Sequence, residues 1–512
     1  MNGMIISGDR TLSQSEMNAN KEKVAGGLHR MGVKPGDAVS MMLRNDLPFF
    51  EVTLGAQVVG AYAVPINWRY TAEEVRYILE DSGAKVLVIH SDLLAGVPGG
   101  VPDDVKVLVV PTPAEIAAAF SLSTGKCLVP FGQTDWGQWL SEQAPFDEPP
   151  RPAPASMIYT SGTTGHPKGV RREPPTAINL ERMAQVSANN LDLRPNVPFK
   201  TVMTGPVYHS APNMYALYAA RFGGVVILQP RFDAEGLLRL IEEHQISHLY
   251  LVPIMFVRLL ALPEDVRTRY DVSSLQFVVH AAAPCPVEVK QKMIEWWGPV
   301  INEYYGATET GGVIFHSSEE ALRKPGTSGR AIDNGHVAIV DKEGNELGPN
   351  ETGLIYLGID DWPRFSYNGR DDDKLEEIRW KNLITAGDIG YLDEDGYLFI
   401  QDRVRDMVIS GGVNIYPAEI ELSLMDMPGV QDCVVFGIPD DEYGESVCAH
   451  VELAFGAELD EPAIKSWLRE KIASYKVPKT IRFETALPRE DSGKIMKRKI
   501  RAPYWEAAGR QI

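Results

Sequence analysis

Short, uninterrupted apolar runs set between capped amphipathic segments restrict the fold of this chain more than any other feature. Residues 85–89 read KVLVI and residues 105–110 read VKVLVV. Strands read this way when helices cover both faces of their sheet, which is the condition of a buried parallel sheet. The intervening segments supply those helices. Ser13 with Glu16 forms a capping box, and Met17, Val24, Leu28 and Met31 recur on one face until Gly32 stops the helix. A strand over 38–43, an apolar helix over 49–59, a strand over 61–65 and a helix capped by Thr71 with Glu74 continue the alternation. Further strands over 201–205, 225–228, 248–252, 276–279 and 300–304 are separated by helices after Pro212, from Asp233 and from Pro286. The architecture expected is α/β, in βα layers.

The character changes from Gly329 onward, where short strands such as 336–340 and 353–357 lie between Gly, Asp and Asn turns and suggest a smaller β unit. A compact strand, helix and strand pattern follows Asp402. The expected division is therefore a large N-terminal domain, 1–401, and a small α+β C-terminal domain, 402–512. The Pro-rich stretch 145–154 runs straight into a strand over 156–160 and reads as an internal connection.

That strand launches YTSGTTGHPKGV, residues 159–170, which holds three glycines, four aliphatic hydroxyls and a lysine. Glycines let backbone N–H groups turn inward, hydroxyls add donors, and Lys168 adds a full charge, so the loop suits a polyanion. It is not the common nucleotide loop, which needs glycine directly before the lysine; here Pro167 precedes Lys168.

A net charge of −19 repels nucleic acid and anionic membrane, so a polyanion must be drawn by a local basic site. Cys127, Cys285, Cys433 and Cys448 lack C-x-x-C spacing, which argues against zinc or a disulfide framework and for reduced core thiols. The opening MNGMIISGDR has no basic segment leading into an apolar stretch, and no apolar run reaches about 18 residues, so the expected location is cytosolic.

Four stretches together resemble the adenylate-forming superfamily of acyl- and aryl-CoA ligases, luciferases and peptide-synthetase adenylation domains. They are YTSGTTGHPKGV at Tyr159, YGATETGG at Tyr305, GDIGYLDEDGYLFIQDRVRDMVISGGVNIYPAEIE at Gly387 and LPREDSGKIMKRK at Leu487, in order along nearly the whole chain. The resemblance implies a two-step reaction: a carboxylate attacks the α-phosphate of Mg·ATP to give an acyl-adenylate and pyrophosphate, and a thiol then takes the acyl group and releases AMP. Such chemistry rests on positioning and charge neutralisation.

By resemblance, Thr160, Ser161, Gly162, Thr163, Thr164, Gly165 and Lys168 hold the β- and γ-phosphates. Thr308 contacts the α-phosphate, and Glu309, with Thr164, binds Mg²⁺, a hard cation suited to oxygen. Tyr305, beside Gly306, stacks on adenine, while Ala282, Ala283 and Pro284 flank the ring. Asp388 accepts the ribose hydroxyls with Arg403 as its basic partner. Lys494 bridges the substrate carboxylate and the α-phosphate. Asp402 is the hinge about which the small domain moves between half-reactions.

The acyl pocket is implied near Tyr208, His209, Met214, Tyr215, His280, Tyr304 and Gly312, with His209 at its carboxylate end. Gly411 and Gly412 resemble glycines that admit a pantetheine arm. CoA is the expected acceptor, no carrier-like segment following within the chain; a stand-alone enzyme loading a carrier protein is the alternative. The acid is hydrophobic, with aryl, medium-chain and steroid-type acids all open, and a homodimer is the family-based expectation.

Overall fold

A computed structural model of the chain describes residues 3–160, 167–369, 373–404, 406–410, 413–490 and 493–508. The main core forms on a nine-stranded sheet. Six of its strands run parallel, in the order Ile301–Ala307, Phe277–His280, His248–Leu251, Lys200–Met203, Val225–Leu228 and Met4–Ser7. Antiparallel strands Gly311–His316 and Arg10–Ser13 flank this block. A second sheet, wholly parallel, orders Tyr62–Pro65, Ala38–Met42, Ala84–His90, Lys106–Val110 and Thr134–Asp135. Val86, Leu87, Val88 and Ile89 have no exposed surface, the two-sided burial that their uninterrupted run requires.

The helices start where their caps put them. Ser13 and Glu16 close the box at the head of Gln14–Arg30, and Thr71 with Glu74 does the same for Ala72–Ser82. The apolar helix begins earlier than its hydrophobic run suggests, at Leu47–Val58, because the Asp46 carboxylate accepts a bond from Leu47 N. It packs against the first helix at Gly55, where a Cβ would lie 2.4 Å from Val24 Cγ1. The helix expected after Pro212 starts at Ser210–Arg221 instead: proline is tolerated in a first turn, whose N–H groups have no intrahelical partner.

A third, three-stranded antiparallel sheet orders Phe365–Tyr367, Lys168–Arg172 and Ile158–Thr160, and so carries both ends of the glycine-rich loop. The loop itself, Ser161, Gly162, Thr163, Thr164, Gly165 and His166, lies outside the described residues, as do Gly411 and Gly412. A five-stranded β unit follows, built from Gly335–Val340, Gly353–Ile359, Leu383–Leu392, Arg379–Trp380 and Leu398–Arg403.

Beyond it the chain forms another sheet, Val413–Ile415, Val408–Ser410, Gly444–Leu453 and Val430–Asp440, with Thr480–Glu484 parallel on Gly444–Leu453. Helices Pro417–Met425 and Glu461–Lys471 cover it around a core of its own that includes Ile420, Leu424, Val435, Ala449, Ile464 and Leu468. The fold is thus mixed α/β, with a large N-terminal and a small C-terminal part. All four cysteines are free; Cys127, Cys433 and Cys448 are buried and Cys285 partly so. Among the described residues no helix is long and apolar enough to cross a membrane.

Candidate active site

Parallel strands all end at one edge of a sheet, and loops leaving that edge converge. In the nine-stranded sheet those loops carry seven of the residues singled out in the sequence. Tyr208 and His209 follow Lys200–Met203, Ala282 to Pro284 follow Phe277–His280, and Thr308 and Glu309 form the turn after Ile301–Ala307. The first loop is pinned from the neighbouring sheet by Asn45, whose Nδ2 donates to Gly205 O at 3.0 Å and whose Oδ1 accepts from Val207 N at 3.1 Å. The rings of Tyr208 and His209 are 4.4 Å apart, and His209 is the N-cap residue of Ser210–Arg221. Ala282 has φ of +77°, a left-handed conformation that L side chains seldom adopt and that concentrates at functional sites.

The Thr308–Glu309 turn is held from two sides. Arg172 donates Nη2 to Thr308 O and to Glu309 O, the latter at 2.8 Å, and Nη1 to Pro363 O at 2.9 Å. Burial lowers this guanidinium to about 10 against the opposing pull of Glu309. From the other side Tyr367 OH donates to Glu309 Oε1 at 3.0 Å, while Lys168 Nζ lies 5.1 Å from the centre of the Tyr367 ring. Burial, the Glu309 charge and that bond push the Tyr367 phenol up. Gly306, in the same hairpin, admits no side chain, since a Cβ would lie 1.8 Å from Gly311 O.

Strand pairing puts Asp388 opposite Arg403. The carboxylate is 4% exposed and accepts from Tyr305 OH at 2.6 Å and from Arg403 Nε at 3.0 Å. Two donors leave lone pairs for two more, as a vicinal diol requires. Asp402, next in the strand, accepts from Ala418 N at 2.9 Å and so anchors the start of Pro417–Met425. Burial raises its carboxyl to about 6 despite that bond and nearby Lys497.

Lys494 lies on a tight turn in which Glu490 N donates to Lys494 O at 2.8 Å and Gly493 N to Glu490 O at 2.9 Å. Gly493, at φ of +84°, sits so close to the large part of the molecule that a Cβ would lie 2.3 Å from Ile254 Cγ2 and 3.3 Å from Val252 Cγ2. Val252 directly follows His248–Leu251, so the Lys494 turn docks on the same sheet edge. Gly493→Val should therefore displace the Lys494 turn, both by obstructing docking and by straining a left-handed backbone that favours glycine. The expected result is at least a tenfold fall in any reaction needing the docked turn, with partial recovery in Gly493→Ala combined with Ile254→Ala; an unchanged Gly493→Val rate would show the contact dispensable.

The residues expected around the acyl pocket do not all face that edge. Tyr304 is 6% exposed and Met214 is partly buried against the main core. Tyr215 has no exposed surface, and its hydroxyl shares a 2.9 Å bond with Thr201 Oγ1 inside the sheet–helix layer. Gly312 is backed by Asn190 and Tyr304, with Asn190 Nδ2 donating to its carbonyl at 2.8 Å. His280 belongs to a buried charge cluster: it lies 3.5 Å from Glu303 Oε2, which is bonded to Lys290 Nζ and lies 3.0 Å from His316 Nε2. Burial drops His280 to about 3 against the opposing attraction of Glu303.

Sequence reading missed Arg172, Tyr367 and the Asp81 carboxylate that accepts from Tyr159 OH at 2.6 Å. The only available signal was for Arg172, which shares a strand face with Lys168 at i, i+4. As to a metal, no group of three or more His, Cys, Asp and Glu side chains is assembled among the described residues. A single carboxylate such as that of Glu309 is compatible with Mg²⁺, which binds through one or two carboxylates together with phosphate oxygens.

The AMP-binding enzyme family description matches residues 3–359, and that of the AMP-binding enzyme C-terminal domain matches residues 419–494. The chain is 33% identical over 506 residues to a feruloyl-CoA synthase of an Amycolatopsis species, covering 97% of this chain and 95% of that one. It is 32% identical over 507 residues to the long-chain-fatty-acid–CoA ligase FadD13 of Mycobacterium tuberculosis, covering 97% and 94%. The o-succinylbenzoate CoA synthetase of Bacillus subtilis, solved with its acyl-adenylate intermediate, is similar over 98% of this chain and 95% of that chain, with a TM-score of 0.78 and 26% identity.

Proposed function

The chain belongs to the AMP-binding enzyme family, and from that premise we propose how its residues divide the work of an ATP-dependent acid–CoA ligase acting on a hydrophobic carboxylic acid. In the first step a carboxylate oxygen attacks the α-phosphorus of ATP, and the bond to the β-phosphate breaks with loss of pyrophosphate. In the second the CoA thiol gives up its proton, sulfur attacks the acyl carbon, and AMP leaves with the electron pair of the broken C–O bond.

Asp388, fixed by Tyr305 and Arg403, receives the ribose hydroxyls. Ala282, Ala283, Pro284 and Tyr305 take the adenine, Thr308 the α-phosphate, and Thr160 through Lys168 the outer phosphates. Mg²⁺, when bound at Glu309 and Thr164, supplies charge neutralisation for the leaving pyrophosphate. Lys494 bridges the acid carboxylate and the α-phosphate in the first step, with His209 at the carboxylate end of the acyl site. The part after Asp402 then turns to bring Gly411 and Gly412 to the CoA arm, and a closed, apolar acyl site keeps water from the adenylate.

The observation that supports this most strongly is the packing of Gly493 against Val252 and Ile254, since it brings the Lys494 turn to the sheet edge where Tyr208, Ala282 and Thr308 converge. A pyrophosphate-release screen over benzoates, cinnamates, linear acids and sterol acids, each with and without CoA, tests the reading. Pyrophosphate without CoA consumption for every acid would instead favour a carrier-protein thiol as acceptor.

A further inference from the structure

A turn at a hairpin tip has carbonyls that its own strands cannot satisfy, and buried carbonyls need donors from elsewhere. For Thr308 and Glu309 both are supplied by one side chain, that of Arg172, which also holds Pro363 O. Five donors in a planar fork allow one guanidinium to reach three acceptors from two segments; an ammonium offers only a point. Arg172 ends the strand Lys168–Arg172, and its alternate neighbours Lys168 and Val170 share its face. That strand pairs with Phe365–Tyr367, placing Phe365 opposite Arg172 and Tyr367 opposite Val170. One small sheet therefore grips the turn twice: Arg172 takes its main chain, and Tyr367 takes the Glu309 carboxylate.

We propose that Arg172 is a positioning residue for adenylation, locking the Thr308–Glu309 turn to the strand that leaves the phosphate loop so that both meet the triphosphate as one rigid unit. The inference rests on the adenylation reading above. Arg172 bonds protein carbonyls, so its effect is on where Thr308 and Glu309 stand. Adenylation and binding of the triphosphate depend on that placement. AMP keeps the α-phosphate that Thr308 takes but lacks the outer phosphates and their Mg²⁺, so it depends on that placement less than the triphosphate does, and transfer from a finished adenylate to CoA, which releases no pyrophosphate, depends on it least.

The test uses the full chain and three variants, Arg172→Met, Arg172→Lys and Tyr367→Phe. Affinity for Mg·α,β-methylene-ATP and for AMP is measured by calorimetry, adenylation by pyrophosphate exchange across a Mg²⁺ titration, and thioester formation from supplied acyl-adenylate separately. Arg172→Met should weaken the triphosphate analogue about tenfold or more and slow adenylation about 100-fold, the scale of a small misplacement of reacting groups. Its AMP affinity should fall by less than its affinity for the analogue, its acid KM and thioester-forming rate should stay within about twofold, and Arg172→Lys should fall between it and the wild type. Tyr367→Phe, which leaves no carbonyl unpaired, should raise the Mg²⁺ concentration for half-maximal rate several-fold, and Arg172→Lys carries the test of Arg172 if Arg172→Met does not fold.

A wild-type affinity for the analogue in Arg172→Met, or equal losses in AMP binding and both half-reactions, would overturn the role of Arg172. If the wild-type chain itself neither bound the analogue nor exchanged pyrophosphate, the adenylation reading would be what had failed.

Discussion

Lys494→Ala should lower acyl-adenylate formation by about 100- to 1,000-fold, the loss typical of removing one transition-state charge stabiliser, while thioester formation from supplied acyl-adenylate continues near the wild-type rate. The asymmetry follows from where the residue sits. Its turn is docked on the large part of the molecule through Gly493, and in the proposed mechanism that contact belongs to the first step only. Pyrophosphate exchange measures the first half-reaction, and CoA consumption with supplied adenylate measures the second. Equal losses in both would remove Lys494 from its assigned role and leave it a structural lysine of a basic segment.

Lys290→Met should cost about 3–5 kcal/mol of stability, because it leaves the Glu303 carboxylate buried without its cation. Lys290 is 7% exposed, as is Glu303, and Lys290 also lies 3.0 Å from His316 Nε2. His316 Nδ1 lies 3.0 Å from Ser317 O, and its Nε2 lies 3.0 Å from both Lys290 Nζ and Glu303 Oε2. Replacing both partners, Lys290→Met with Glu303→Met, should cost less than Lys290→Met alone, since an apolar pair leaves no charge stranded. Urea denaturation of the two variants decides the point; a cost below about 1 kcal/mol for Lys290→Met would mean that water reaches the carboxylate.

The same cluster predicts acid sensitivity with a definite sign. Burial holds His280 neutral down to about 3, whereas in the unfolded chain it takes up a proton around 6.5. Against the upward push of burial, Lys290, His280 and His316 keep Glu303 far below its ordinary 4.5. In both cases the unfolded chain binds more protons over the window, so stability falls as pH drops, from about 6.5 for the histidine and from about 4.5 for the glutamate. His280→Gln should flatten the slope between about 6.5 and 4.5 and weaken it below 4.5, where Glu303 still responds but without that histidine's help; an unchanged slope would place the acid response elsewhere.

Much of the architecture was legible because its signals are local. A capping box is three residues apart, a buried parallel strand is an unbroken apolar run, and Ser13, Thr71 and the stretch 85–89 behave accordingly. Boundaries drifted where a neighbouring polar group took over, as at Asp46, or where proline fitted a first turn, as at Pro212. The candidate nucleotide-site residues were named from the resemblance of four short runs to a family, and those runs are local too.

Partners were another matter. Arg172 meets Thr308 across 136 positions, Tyr159 meets Asp81 across 78 and Tyr367 meets Glu309 across 58. Tyr215 and His280, named from the sequence for an acyl pocket, were placed by the fold in a hydrogen-bonded layer and in a charge cluster. The sequence by itself determined the layers and the capped helix starts at Ser13 and Thr71, because periodicity and capping act over a few residues. Which sheet edges meet, and hence which side chain grips which turn, was decided only by tertiary structure. A repeating pattern tells a side chain which face to occupy, and only the packing of separate sheets tells it what it will find there.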